Sequence, residues 1–203
     1  AVITAKTEAG NLTAQCRVTV GAIETVTSFD KLQQLLKGEK EYDKIIVNSN
    51  ENGTVEISDG NYKETILNVH APNATVVNHG VFKKVEIEAI SRDTWIEKAT
   101  GNVLDVVAKE SHVLISEGAL SKIQIQGDAE NVRIENNGTV SSLQINAAAN
   151  ISIAGENHTI IPVEAKSKNA VIDTAIPIEL AAEEKVKLII KPGAESQTTV
   201  SVS

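Results

Sequence analysis

The residues in this chain that could do chemistry are few and widely spaced. Glu86 and Asp105 lie nineteen residues apart, with Glu88 and Lys84 beside the first of them. Brought onto one surface, these carboxylates would be candidates for a calcium ion, with Lys84 as the nearest base. Calcium takes six to eight oxygens, so Glu86, Glu88 and Asp105 fall short of a full ligand set, and a solvated charged face is the alternative. His112 also stands nineteen residues after Asp93. That pair allows a metal or catalytic reading, against which stands a plain structural role. His70, His79, His112 and His158 follow no common spacing, so they suggest neither a triad nor a metal cluster. No glycine-rich phosphate loop is present.

The elements that must position these residues emerge when residues 74 to 187 are written in rows of nineteen. The rows begin at Ala74, Asp93, His112, Asn131, Asn150 and Asn169 and read ATVV, DTWI, HVLI, NVRI, NISI and NAVI. The fourth place is Val77, Ile96, Ile115, Ile134, Ile153 and Ile172. Apolar residues alternate later in each row: Val85 and Ile87, Leu104 and Val106, Ile123 and Ile125, Leu143 and Ile145 with a slip of one, then Ile161 and Val163. Alternation with period two marks strands with one buried face. Turn residues such as Asn78-His79-Gly80, Glu117-Gly118 and Asn136-Asn137-Gly138 separate them.

Several short strands and corners in nineteen residues describe one coil of a solenoid. The predicted fold is all-β: a single right-handed parallel β-helix of about seven or eight coils, with an N-terminal capping helix and a short N-terminal β-hairpin. The fourth-place residues should form one interior aliphatic stack. The row starts should form a corner column in which Asn131, Asn150 and Asn169 make an amide ladder. The leucine-rich repeat consensus and the six-residue period of left-handed forms are both absent.

If places two and four point inward, place three points outward. That puts Val76, Trp95, Leu114 and Arg133 on the outside, followed by Ser152 and Val171. An apolar stripe around the single Trp is either covered locally or is a contact surface, with Trp95 as a sugar-stacking platform and Arg133 as its polar neighbour. These four residues are the candidate ligand-binding set. Glu86, Asp105, Gln124 and Gln144 form the outward column of the other strand.

Composition narrows the function classes. The net charge is −8 and aromatics are 2%, which argues against nucleic acid and against an anionic membrane surface. No apolar run reaches membrane-spanning length, and nothing implies a cofactor. Cys16 is the only cysteine, so no intrachain disulfide forms.

Residues 1–20 alternate on either side of the turn Glu8-Ala9-Gly10-Asn11 and read as a β-hairpin. Ile3-Thr4-Ala5-Lys6-Thr7, Gly10, Leu12-Thr13-Ala14 and Cys16-Arg17-Val18-Thr19-Val20 closely resemble the last two strands of a bacterial immunoglobulin-like domain of group 2. The resemblance covers about a tenth of the chain. It implies a bacterial surface or secreted protein, and a hairpin without the rest of its domain implies a longer parent chain. Residues 21–25 read as a linker, and residues 26–203 as the β-helix. Within it, Phe29, Leu32, Leu35 and Leu36 at helical spacing, a Thr27 or Ser28 cap and Gly38 predict a capping helix over 28–37. That helix, Tyr42 and the strand Ile45-Ile46-Val47 resemble the start of right-handed β-helices of the pectate-lyase-like superfamily.

The expected function is a non-catalytic, extracellular or cell-surface module for adhesion, carbohydrate contact or spacing, with a glycan or a host or cell-surface protein as partner. The alternative, a polysaccharide lyase or glycoside hydrolase, rests on the superfamily resemblance alone.

Overall fold

In a computed structural model the described residues are 21–91 and 95–202, together with the strands 2–6 and 13–17 as backbone. In chain order the elements are β1 (Val2–Lys6), β2 (Thr13–Arg17), β3 (Ile23–Val26), α1 (Phe29–Leu36), β4 (Lys44–Asn48), β5 (Gly53–Ala71), β6 (Ala74–Ile90), β7 (Trp95–Glu97), β8 (Val103–Val106) and β9 (Glu110–Ile115). There follow β10 (Ala119–Leu120), β11 (Lys122–Ile125), β12 (Asn131–Asn136), β13 (Thr139–Val140), β14 (Leu143–Ile145), β15 (Asn150–Ala154), β16 (Ile161–Ala165), β17 (Val171–Thr174), β18 (Ile178–Ala182), β19 (Lys187–Ile190) and β20 (Thr199–Val202). Apart from the antiparallel pair β1–β2, which forms a separate sheet, every strand pairing among the described residues is parallel.

The architecture is a parallel β-solenoid. The first face stacks the start of β5, the start of β6, then β7, β9, β12, β15, β17 and β19. The second face stacks β3, β4, the ends of β5 and β6, then β8, β11, β14, β16, β18 and β20. A short third edge holds β10 and β13. The expected interior stack on the second face is present: Val85, Leu104, Ile123 and Leu143 are register partners in turn. The next rung is Val163, so Val163 and Ala165 continue the column where the spacing suggested Ile161 and Val163.

The first face departs from the strict nineteen-residue rows. Val77 pairs with Ile96, but Ile96 pairs with Leu114, Ile115 with Asn136, Ile134 with Val113 and Ile153, and Ile172 with Ile151. The six fourth-place residues are therefore not one stack. The interior column is Val76, Trp95, Val113, Ile134, Ile153 and Thr174. Trp95 meets Val113, only 18 residues on, and a one-residue slip reverses which side chains face in.

The N-terminal end follows from local rules. The Ser28 hydroxyl caps α1 by accepting from the Lys31 amide at 3.3 Å, and Glu51 accepts from the Phe29 amide at 2.9 Å. Phe29 and Leu32 are buried, Leu35 and Leu36 partly so, and α1 lies against β3 and β5 at the end of the cylinder. Burial of Phe29 and Leu32 stabilises by about 2 kcal/mol each. Residues 21–25, read as a linker, instead contain most of β3, which pairs with β4 and adds a rung. Four residues with one buried position, Val26, are too short a pattern to stand out.

Coils approach each other closely at the third edge. A Cβ on Gly118 would run into the Ala99 carbonyl oxygen, and one on Gly138 into the Gly118 carbonyl oxygen. Gly101 has φ 103 but open space around it. Gly118→Ala is expected to destabilise the fold by roughly 3 kcal/mol, since backbone must shift. Gly101→Ala is expected to cost about 1 kcal/mol of conformational strain. Urea denaturation of the two variants measures the contrast, and equal losses would refute the close-packing argument.

Candidate functional site

On the second face, Glu86, Asp105, Gln124 and Gln144 are register partners on successive strands, followed by Glu164. Lys84 bridges Glu86 (2.9 Å) and Asp105 (2.7 Å), and Lys44 holds the other Glu86 oxygen at 2.7 Å. Asn68 donates to Glu86 at 3.1 Å and to Glu88 at 2.8 Å. Gln124 donates to Gln144, and Gln144 to Glu164, each at 2.8 Å. The three calcium candidates are thus brought near one another but engaged by lysine and amide donors. Partial burial lifts the Glu86 carboxyl, and the Lys44, Lys84 and Asn68 contacts outweigh that and hold it at about 2.

The candidate ligand-binding residues separate. Val76 and Trp95 are fully buried in the core, because the 18-residue coil reverses the facing of the first two rows relative to the rest. Trp95 is therefore no sugar platform. An outer aliphatic stripe does exist, made of Val77, Ile96 and Leu114, with Glu135 as the next rung. Arg133 stands in the neighbouring outer column: His112, Arg133, Ser152, Asp173 and Ile189. Beside it runs a third column of Glu110, Asn131, Asn150 and Val171. The amide ladder has two rungs: Asn150 donates to Asn131 at 3.0 Å, while Asn169 lies in a turn with φ 65. Asp93 lies outside the described residues.

These outer columns line a groove of about 440 Å³ across β9, β12, β15, β17 and β19. Arg133 donates to Glu135 at 2.9 Å, and His112 approaches the same oxygen at 3.3 Å. Lys191 pairs with Asp173 at 3.3 Å. Ser152 is two rungs from His112, roughly 10 Å given the inter-strand spacing, too far for a Ser–His hydrogen bond. What the groove offers is a ladder of guanidinium, amide, hydroxyl and carboxylate groups whose two columns continue into the aliphatic side chains of Val171 and Ile189. That set can hydrogen-bond a polar ligand lying across several coils.

Sequence reasoning missed a buried polar cluster at the corner after the first face. Asn78, Glu97 and Asn102 are fully buried. Glu97 accepts from the Trp95 indole (2.9 Å), Asn78 (2.9 Å), Asn102 (3.1 Å) and the Ala99 amide (3.0 Å). The signal was present: Asn78 and Glu97 occupy the same place in adjacent rows, and Glu97 is two residues from Trp95. Burial without a cation pushes the Glu97 carboxyl up to about 7, against the pull of those four donors.

Glu86 and Glu97 give opposite pH slopes. Glu86 has its pKa depressed from 4.5, so its contribution is complete above 4.5 and lost as pH falls towards 2. Glu97 has its pKa raised, so the folded state binds that proton more tightly; its contribution is complete below 4.5 and lost as pH rises through 7. The joint contribution of these two groups should therefore be greatest near pH 4.5 and decline by about 3 kcal/mol towards pH 8, as Glu97 loses its proton. Urea titrations followed by Trp95 fluorescence measure this. Glu97→Gln should flatten the decline whatever its own effect at one pH, and an unchanged slope in that variant would reject the assignment.

No protein-family model matches the chain, and neither a curated protein nor a solved structure does.

Proposed function

We propose that this chain is a non-catalytic module of an extracellular or cell-surface protein that contacts a glycan, or a host or cell-surface protein, through the groove on its first face. The solenoid serves as a rigid spacer for that surface. The observation carrying this reading is the groove: hydrogen-bonding side chains from successive strands, Asn131, Arg133, Asn150, Ser152 and Asp173, repeat at the inter-strand spacing and adjoin the aliphatic Val171 and Ile189 in the same columns. The resemblance of residues 1–20 to a bacterial immunoglobulin-like domain, and of the start of the β-helix to the pectate-lyase-like superfamily, supports the cellular setting.

The carboxylates support a binding role over a catalytic one. Glu86 and Asp105 are clamped by Lys84, and Glu86 stays ionised through the neutral range, so it is no general acid. Glu97, whose carboxyl is held near neutrality as an acid catalyst's would be, is sealed in the core.

Screening on glycan and surface-protein arrays, with wild-type protein and Arg133→Ala, tests the proposal. Arg133 is more than half exposed, so its loss should leave the fold intact. It should weaken binding about tenfold, the value of one charge-assisted hydrogen bond. Turnover of an acidic polysaccharide that disappears in Glu86→Gln or Asp105→Asn would overturn the reading, as would binding indifferent to Arg133→Ala.

A further inference from the structure

The solenoid's N-terminal end holds a second concavity, of about 480 Å³, between the end of α1, the segment leading to β4, and the middle of β5. Its apolar wall is Leu35 and Leu36, and both tyrosines of the chain line it. Trp95, Phe29, Phe82 and Tyr42 are buried, so Tyr62 is the only aromatic ring of Phe, Tyr or Trp that is partly exposed among the described residues. This ring is packed against its neighbours. It lies 5.0 Å from the Phe82 ring, and a Cβ on Gly60 would run into it. Its hydroxyl makes only a long 3.5 Å contact, to the Asp59 carbonyl oxygen.

We propose that this pocket binds a neutral sugar ring, stacked on Tyr62. The pocket walls are divided between aliphatic or aromatic surface and hydrogen-bonding groups, as a ring with one apolar face and a hydroxylated rim requires. Asn61 supplies donors and an acceptor next to the tyrosine. Charge on the rim selects against ionic ligands. Glu39, Glu41 and Glu64 outnumber Lys40 and Lys63 on the rim and disfavour an anion, and the two ammoniums, with that of Lys40 4.6 Å above the Tyr42 ring, disfavour a cation. The site is separate from the groove on the first face, and either can fail without the other.

The test titrates wild-type protein with methyl β-glucoside, cellobiose and maltose, with galacturonic acid and choline as the anionic and cationic comparisons, reading tyrosine ring resonances by NMR. At least one neutral sugar should shift the Tyr62 ring signals saturably, and neither charged probe should. Tyr62→Ala should lower affinity at least tenfold, Tyr62→Phe less than threefold, and Arg133→Ala should leave it unchanged. If Tyr62→Ala does not fold, as judged by circular dichroism, Asn61→Ala takes its place and should weaken binding. The proposal is overturned if no neutral sugar shifts the tyrosine signals, if a charged probe shifts them instead, or if a folded Tyr62→Ala or Asn61→Ala variant binds like wild type.

Discussion

The structure depends on parity. Along a strand, side chains alternate between the cylinder's interior and its surface, and each coil must return with the same alternation as the one before. Coil length varies as long as corners absorb the difference. The interior column of the first face steps from Trp95 to Val113, then 21 residues to Ile134, then 19 to Ile153. An even slip leaves a row's facing unchanged, while an odd slip reverses it. The single continuous core from Val26 to Ala182 is the outcome of holding parity at every rung.

Corners are where that constraint becomes costly, because backbone groups there leave the ladder and an unpaired buried amide costs about 1–3 kcal/mol. The polar residues inside the cylinder meet this cost. Asn78 accepts from the Gly80 amide, Asn102 from the Phe82 amide and Glu97 from the Ala99 amide, while Asn78 and Asn102 both donate to the Gly80 carbonyl oxygen. Glu97 joins the two amides to Trp95. The cluster thus replaces missing ladder bonds over two coils, which explains how a carboxylate without a cation is tolerated in an aliphatic core.

The same parity decides what could be read from the sequence. Most strand positions, the capping helix and the second-face columns as far as Leu143 and Ile145 were legible, since alternation and the Ser28 cap are local signals. The partnership of Glu86 with Asp105 was legible because that coil keeps the nineteen-residue step. Facing on the first face was legible only after the odd slip: from His112 onward, places two and four do point inward, as Val113, Ile115, Val132 and Ile134 show. Before it, Val76 and Trp95 face in, so the outward-facing column shifts by one residue to Val77, itself buried, and the half-buried Ile96. Nothing in a 19-residue row marks an 18-residue coil, because the residue is lost at a corner and the strands on either side keep their own alternation. β3 was illegible for another reason: with one buried side chain it carries no period.

Stacking also determines where rings can sit. Apart from Trp95, the interior columns of the two faces carry no aromatic ring among the described residues, and a ring requires room made by its neighbours. Phe82 and Tyr62 obtain it from Gly80 and Gly60, register partners without side chains, so the two rings lie against bare backbone and each other. Tyr62 is the outermost of the pair towards α1, and the helix covers the end incompletely because its buried side, led by Phe29 and Leu32, is only eight residues long. The mid-coil surface, by contrast, repeats small polar and aliphatic groups at a fixed interval. An aromatic platform therefore belongs at the end of such a cylinder and a hydrogen-bonding ladder along its flank, and recognition at the two places follows different chemistry.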